Sequence, residues 1–333
     1  MKKILTLSVA AYNIGNYIDK LMNSILSCNQ KERLEILLVN DGSKDDTLLK
    51  SNDYQKRFPS IVTVIDKHNG GHGSTINAGI NNATAKYFKA IDGDDWVDSS
   101  GLDSFISHLK ETDVDLVLSD FLNVYEENGT KKRKTMNLTP GHSYKFDSVA
   151  EKLNGICYHN ICYKTELLKT NNIKLTEHSF YVDNEFIAYP ILFVQTVAYY
   201  NDLVYCYRLG REEQSVSIIS SQKNVQQHFL IVKYLIDFYN DNSTKCSNSK
   251  KEFYEDFISV VASFQLLIRF SFSISRSHLK ELIIVDNYLM QCPSVYSKMK
   301  NKTFIIWRKN RVLLYIPIKL WIDKKRSGRS TVA

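Results

Sequence analysis

Twice within the opening third of this 333-residue chain, an apolar run that reads as a buried strand stops at an acidic turn. The first turn is Val39-Asn40-Asp41-Gly42-Ser43 and the second is Ile91-Asp92-Gly93-Asp94-Asp95-Trp96. Three neighbouring carboxylates, Asp92, Asp94 and Asp95, repel one another and cannot enter a core unpaired. They must therefore lie where a strand leaves the core, at the edge of a sheet. Hard oxygen ligands at the carboxyl end of an α/β strand suit Mg²⁺ or Mn²⁺, ions commonly held by one or two carboxylates plus substrate phosphates. Asp-Gly alone is ordinary turn chemistry. An EF-hand loop is excluded, because Trp96 stands where that loop needs an oxygen ligand and Val97 where it needs glycine. The repeated order of strand and acidic turn, with a glycine-rich segment between, favours a metal-assisted nucleotide-diphosphate site.

The first 120 residues alternate as a βαβ protein does. Strands are expected at Leu5 to Ala10, Glu35 to Val39, Ile61 to Ile65, Tyr87 to Ile91 and Asp115 to Leu118. Ile18, Leu21, Met22 and Ile25 share one helical face; Leu102, Phe105, Ile106 and Leu109 share another, after the cap candidates Ser99 and Ser100. The pattern predicts an α/β fold, a mostly parallel sheet with helices on both faces. Ligands gather beyond the carboxyl ends of such strands, the edge expected to carry Ala11-Tyr12-Asn13, Asp41 and Asp92 to Asp95. Residues 126 to 142 read as a polar, basic hairpin or surface loop. Thr196 to Tyr200 and Leu203 to Tyr207 read as strands, and from Gln222 the pattern is helical. The expected division is 1–215 and a helical region 216–333.

Hydrophobic content of 44% and charged content of 24% fit a globular chain able to bury a full core. Met1-Lys2-Lys3 before Ile4 to Ala11 mimics a signal peptide, but the short apolar run passes straight into Asn13, Gly15 and Asn16 and reads as a first strand. No stretch offers the roughly 18 uninterrupted apolar residues of a membrane-spanning helix. The six cysteines show no zinc-type spacing and read as reduced thiols of a cytoplasmic protein. His68 and His72 are four residues apart, but they flank the glycine pair Gly70-Gly71 and do not share a helix as a zinc site needs, and His68, His72, His159 and His178 read as structural or acceptor-side.

Four segments taken in order, Leu7 to Asn13, Val39 to Thr47, Asn69-Gly70-Gly71-His72-Gly73-Ser74-Thr75-Ile76-Asn77-Ala78-Gly79, and Lys86 to Asp98, resemble glycosyltransferase family 2. The resemblance is dense over 1–120 and looser up to Arg208. It implies a GT-A fold, a nucleotide-sugar donor, a divalent metal and inversion at the anomeric carbon, with 1–120 binding donor and 121–215 facing acceptor. Ala11, Tyr12 and Asn13 would border the base, and Asp41 would accept a hydrogen bond from it, with uracil the expected partner. Asn69, Gly71 and Asn77 would lie beside the donor pocket, where glycines permit close approach and a helix N-terminus favours phosphate. Many family members carry arginine before the matching asparagine, whereas this chain has Ile76. Asp92-Gly93-Asp94 matches the family's Asp-x-Asp element. Asp94 is the expected direct metal ligand, Asp92 meets ribose or the metal, and Asp95 positions the donor sugar or the backbone.

The resemblance also places a general base in Tyr181-Val182-Asp183-Asn184-Glu185-Phe186, with Asp183 first and Glu185 second. An ordinary helix-start acid is the alternative. Tyr205-Cys206-Tyr207-Arg208 and Gln214-Ser215-Val216-Ser217 resemble segments that close over the diphosphate, where Arg208 reaches phosphate or makes an ordinary surface ion pair. The implied reaction moves a sugar, from UDP-sugar first of all, to a lipid-linked saccharide or polysaccharide acceptor. A donor-binding module without turnover remains an alternative. A sugar nucleotidyltransferase is the other, although Ala11-Tyr12-Asn13-Ile14-Gly15 lacks its glycine-rich basic loop.

Net charge is +7, and the excess sits in the tail, where Lys298, Lys300, Lys302, Arg308, Lys309, Arg311, Lys319, Lys324, Lys325, Arg326 and Arg329 face Asp323 alone. No basic-aromatic nucleic-acid module accompanies it. Interleaved with Phe304 to Trp307 and Val312 to Ile322, these charges suit an anionic membrane surface and predict peripheral attachment at the inner face of the cell membrane. The alternative is that the apolar residues dock on the protein itself.

Overall fold

The computed structural model describes residues 2–210 and 217–326, in two compact units, Met1–Leu209 and Gly210–Ala333. Gln214-Ser215-Val216 and Arg329, and with them the expected break at 215, lie outside the described residues.

In chain order the strands of the first unit are β1 Leu5–Ala11, β2 Leu34–Asp41, β3 Val62–Lys67, β4 Tyr87–Asp92, β5 Trp96–Val97, β6 Leu116–Tyr125, β7 Lys131–Lys134, β8 His142–Lys145, β9 Ile161–Lys164 and β10 Thr196–Leu209. Its α-helices are α1 Ile18–Leu26, α2 Thr47–Arg57, α3 His72–Asn82, α4 Ser99–Glu111, α5 Thr165–Thr170 and α6 Asp183–Ile191. All ten strands join one sheet in the order β3-β2-β1-β4-β9-β6-β10-β5, with β7 beside β6 and β8 beside β10. The run β3-β2-β1-β4 is parallel, as expected. Beyond β4 the sheet is mixed, because β9 enters antiparallel between β4 and β6.

Alternation along β1 explains how both faces are covered. Leu5, Leu7, Val9 and Ala11 join the predicted apolar faces of α1 and α4 in one core, while α3 packs on β1 and β2. Each fully buried aliphatic side chain there contributes about 1.5–3 kcal/mol. The cap of α4 is Asp98, whose side chain accepts from the Gly101 N–H at 2.8 Å, and neither Ser99 nor Ser100. The segment after Leu118 continues as strand because its buried polar residue is satisfied. Asp120 is 0% exposed and accepts from Arg133 at 2.7 Å and the Tyr199 hydroxyl at 2.6 Å. The two strands expected at 196–207 are one, β10, which absorbs register shifts at Tyr199/Leu203 and Leu203/Tyr205. Residues 126–142 contain the hairpin partner β7.

The second unit is helical: α7 Ile218–Lys223, α8 Val225–Asn242, α9 Asn248–Ser271, α10 Arg276–Leu289, α11 Pro293–Lys298, α12 Lys302–Lys309 and α13 Tyr315–Arg326. Neighbours on several sides explain why α9 is so apolar, since α7, α8, α10, α11 and α13 all pack on it. Its polar interruptions are paired, Gln265 with His228 at 2.8 Å and Arg269 with Glu281. No helix among the described residues is long and apolar enough to cross a membrane.

Candidate active site

The carboxyl ends of β1, β2 and β4 finish together, with Ala10 opposite Asp92 and Ala11 opposite Asn40. Hydrogen bonds lock the loop after β1 to the loop after β2. The Asn13 N–H donates to Ser43 Oγ at 3.0 Å, Asn13 Oδ1 accepts from the Lys44 N–H at 2.8 Å, and the Gly15 N–H donates to Asp45 at 2.9 Å. Asn13 is held at φ 52°, the left-handed region that costs most residues energy. Ala11 is buried beneath it, and Tyr12 is 48% exposed at the rim.

Asp41, at the end of β2, is only 2% exposed. Its carboxylate accepts from Lys67 Nζ at 2.6 Å, the Gly70 N–H at 2.9 Å, the Gly71 N–H at 2.8 Å and Ser74 Oγ at 3.3 Å. An ionised carboxylate offers about four acceptor positions. Asp41 thus shapes the 67–74 segment first, and a base N–H would have to share the Gly71 bond. Asn69 assists by donating to the Asp41 carbonyl at 2.9 Å. Gly71 has φ 80°, and a Cβ there would sit 3.2 Å from the His178 backbone, so glycine is required.

The acidic turn is equally constrained. The Gly93 N–H donates to the Ala10 carbonyl at 3.1 Å, and a Cβ on Gly93 would fall 2.5 Å from that oxygen. The Tyr205 hydroxyl accepts from the Asp92 N–H at 3.1 Å and donates to Asp95 Oδ2 at 2.7 Å. Arg208 donates from its backbone N–H to Asp95 Oδ1 at 2.7 Å and from Nε to the Asp94 carbonyl at 2.8 Å. Its guanidinium pairs with Glu126 and lies about 5 Å from the Tyr17 and Trp96 rings. Arg208 is 6% exposed and braces the turn through these bonds. Burial, and then the charge of Asp92, push the Asp95 carboxyl well above the usual carboxylate range against the hydrogen bonds of Arg208 and Tyr205.

Facing this turn from α3 is His72, whose Nε2 lies 3.2 Å from Asp92 Oδ1 and 3.3 Å from the Tyr158 hydroxyl. Burial lowers the affinity of His72 for a proton, but the Asp92 hydrogen bond and charge outweigh it and hold the imidazole above its ordinary value. Asp92 is pushed up by burial and pulled below its ordinary value by His72. Ile76, one helical turn later, is 1% exposed and packs in the core. His159 closes the site from the 3₁₀ turn before β9, its ring 4.0 Å from that of Tyr207 and 4.9 Å from that of Tyr205. Burial pushes its imidazole down to about 4, leaving the neutral form that ligates metals.

Asp92, Asp95 and His159 bring ligand atoms within 4.8 Å of one another. Two carboxylates, one raised by the charge of the other, and a neutral imidazole form a donor set that fits a divalent cation. Asp92 belongs to this group as expected; Asp94, the expected first ligand, is half-buried on the same turn outside it. Sequence reasoning named His72 and His159 as structural or acceptor-side and Tyr205 within a closing segment, but placed none of them at the acidic turn. A search for paired histidines on one helix cannot bring together groups that come from an α3 end, a 3₁₀ turn and a distant strand.

Asp183 opens α6, half-buried, and its carboxyl is pushed up to about 6 by burial, with the charge of His72 opposing and that of Asp92 adding. It therefore shares the electrostatic environment of the acidic turn and is not simply a solvated helix-start acid. Glu185 is different: 0% exposed, it accepts from the Thr176 N–H at 2.8 Å, Thr176 Oγ1 at 2.7 Å and the Tyr189 hydroxyl at 2.9 Å. The second candidate for a base is a structural anchor. Asn77 is bonded to this same loop. Its amide donates to the Leu175 carbonyl at 3.0 Å and accepts from the Leu175 N–H at 2.8 Å.

Residues 6–171 match the family model "Glycosyl transferase family 2". Among curated proteins, glycosyltransferase GlyA of Streptococcus pneumoniae is 29% identical over 128 residues, covering 38% of this chain and 18% of that protein. An uncharacterized glycosyltransferase of Haemophilus influenzae is 31% identical over 124 residues, covering 37% of this chain and 38% of its own length. The chain thus spans well under two thirds of these relatives. Poly(ribitol-phosphate) beta-glucosyltransferase of Bacillus spizizenii is 25% identical over 218 residues, 64% of this chain and 33% of that protein. S. aureus TarS 1-349, crystallised in complex with UDP, superposes with a TM-score of 0.66 at 18% identity, covering 99% of this chain and 92% of that one. Mannosyltransferase PcManGT from Pyrobaculum calidifontis, in complex with GDP-Man and Mn²⁺, gives 0.53 at 13% identity, covering 96% and 86%. These structural likenesses show the fold.

Proposed function

Since the chain belongs, through residues 6–171, to glycosyl transferase family 2, we propose that it is an inverting glycosyltransferase that uses a UDP-sugar donor. The observation that carries this reading is one sheet edge where Asp92, Asp95 and His159 converge and where Asp183 lies within their electrostatic reach. The UDP named with the TarS structure and the Mn²⁺ named with PcManGT support the choice of donor and ion. The polymer named for the Bacillus spizizenii relative supports a lipid-linked saccharide or polysaccharide acceptor. Such acceptors place the enzyme at the cytoplasmic face of a membrane.

The residues divide the work. Tyr12 and Asn13 form the rim against which the base rests, with Asp41 and Asn69 beside it and the α3 N-terminus toward the diphosphate. Asp92, Asp95 and His159, joined by Asp94 from the same turn, would hold Mn²⁺ or Mg²⁺, and that ion would neutralise the departing diphosphate. Asp95 and Arg208 keep the turn in shape. Asp183 takes the proton of the acceptor hydroxyl as its oxygen bonds to the anomeric carbon. The carbon–oxygen bond to the diphosphate breaks on the opposite face, UDP leaves and the configuration inverts. A carboxyl near 6 suits that task, because it is ionised at neutral pH yet still basic enough to accept a proton.

The test is donor turnover with acceptor present. The full chain should release UDP in proportion to glycoside formed, and Asp183→Asn should bind UDP with unchanged affinity while transfer is lost. Binding without turnover in the parent chain would make it a donor-binding module instead.

A further inference from the structure

In the helical unit, large apolar side chains crowd the surface between residues 305 and 321. Ile305, Ile306, Leu313, Ile316, Leu320 and Trp321 are between 46% and 72% exposed. The other sides of the same two helices are spent on the unit's own core. The rings of Phe304, Trp307 and Tyr315 gather around Phe270, and Ile318 and Ile322 are at most 9% exposed. The two helices therefore dock one side on the unit's own core, as the second alternative expected, and leave these apolar side chains about half exposed or more.

Its charges divide in the same way. Arg308 and Arg311 converge on Asp286 at 2.9 and 2.6 Å, Lys298 meets Asp256 at 3.3 Å, and Lys319 pairs with Asp323. Lys300, Lys302 and Lys309 are exposed in or just before α12, the helix that carries Ile305 and Ile306. Pro317 lies in the first turn of α13, where a missing N–H is tolerated, and residues 310–314 separate α12 from α13.

We propose that this ridge of apolar side chains is a membrane-docking face that seats on anionic lipid headgroups. Helices of 8 and 12 residues are far too short to span about 30 Å of hydrocarbon, so they can only lie in the interface. Trp321 beside lysine suits the headgroup boundary. A second copy of the chain is disfavoured as the occupant, because a two-fold pairing through this ridge would bring the same lysines face to face. Docking of this kind is independent of sugar transfer, and turnover of soluble donor provides a separate readout.

The experiment is co-sedimentation of the full chain with phosphatidylglycerol-rich vesicles and with phosphatidylcholine vesicles. The chain should pellet with the anionic vesicles at low salt, be released by high salt, and stay in solution with the neutral ones. Combined Lys300→Gln, Lys302→Gln and Lys309→Gln should lower the partition coefficient about 10²-fold, since each basic residue near an anionic surface contributes about 5-fold. Ile316→Ser with Leu320→Ser should also abolish pelleting while the melting temperature and donor turnover are unchanged, since both side chains are at least half exposed. Equal partitioning into both vesicle types, or wild-type pelleting by the lysine variant, overturns the proposal. So does a wild-type dimer that Ile316→Ser with Leu320→Ser dissociates.

Discussion

The hydroxyl of Tyr205 donates to Asp95 Oδ2 at 2.7 Å, and the hydroxyl oxygen itself accepts from the Asp92 N–H at 3.1 Å. One phenol on β10 thus holds both arms of the acidic turn that follows β4. Because Asp95 is 1% exposed, its charge depends on these internal donors. Tyr205→Phe removes one of them and should lower unfolding free energy by about 1–3 kcal/mol, the penalty of an unsatisfied buried group. Mn²⁺ affinity should fall with it. Denaturant titration and calorimetric metal titration measure the two, and a variant unchanged in both would refute the bridge.

Proton transfer to Asp183 fixes the sign of a pH dependence. The carboxyl must be ionised to act as base, so kcat/KM should rise as pH climbs through about 6 and level off above it. A cation bound beside Asp92 would move that limb to lower pH. Asp183→Asn should cost about 10²-fold or more in transfer and erase the acidic limb. A variant that retains the limb would assign it to another group.

Metal ligation separates two acids and a histidine. Asp94→Ala should abolish turnover dependent on Mn²⁺ or Mg²⁺ and leave the fold intact, since the residue lies on the sheet edge. If His159 also ligates, its nitrogen favours Mn²⁺ over Mg²⁺, and His159→Gln should weaken Mn²⁺ binding about 10-fold or more. Unaltered Mn²⁺ affinity would leave His159 a packing residue between Tyr205 and Tyr207.

Asn77 tests where the donor pocket ends. Its amide satisfies both the N–H and the carbonyl of Leu175, so Asn77→Ala should destabilise the fold by about 1–3 kcal/mol with UDP affinity unchanged. Lost UDP affinity at unchanged stability would return Asn77 to the donor site.

Legibility from sequence followed chemistry that is local in the chain. The strands β1 to β4 and the acidic turn could be read because each strand is a largely apolar run and two of them, β2 and β4, end in Asp-Gly. The extension of β6 could not, since Asp120 looks like a strand end until Arg133 and Tyr199 are brought to it. Arg208 read as a phosphate contact or a surface ion pair, because nothing local reveals that Tyr17, Trp96 and Glu126 lie around it. His72 stood inside a recognised segment, but its role depends on the approach of Asp92 across the sheet edge. Exposure along 305–321 was equally hidden, since helical phase alone does not say which face the neighbouring helices cover.

The central claim is metal-assisted cleavage of a nucleotide sugar at the edge formed by Asp92, Asp94 and Asp95. Release of free nucleotide from a panel of UDP- and GDP-sugars, with Mn²⁺, with Mg²⁺ and with chelator, tests it directly. The account predicts release from a UDP-sugar that requires a divalent ion, stops in chelator and is absent in Asp94→Ala. Turnover that persists in chelator, or survives Asp94→Ala undiminished, would contradict it.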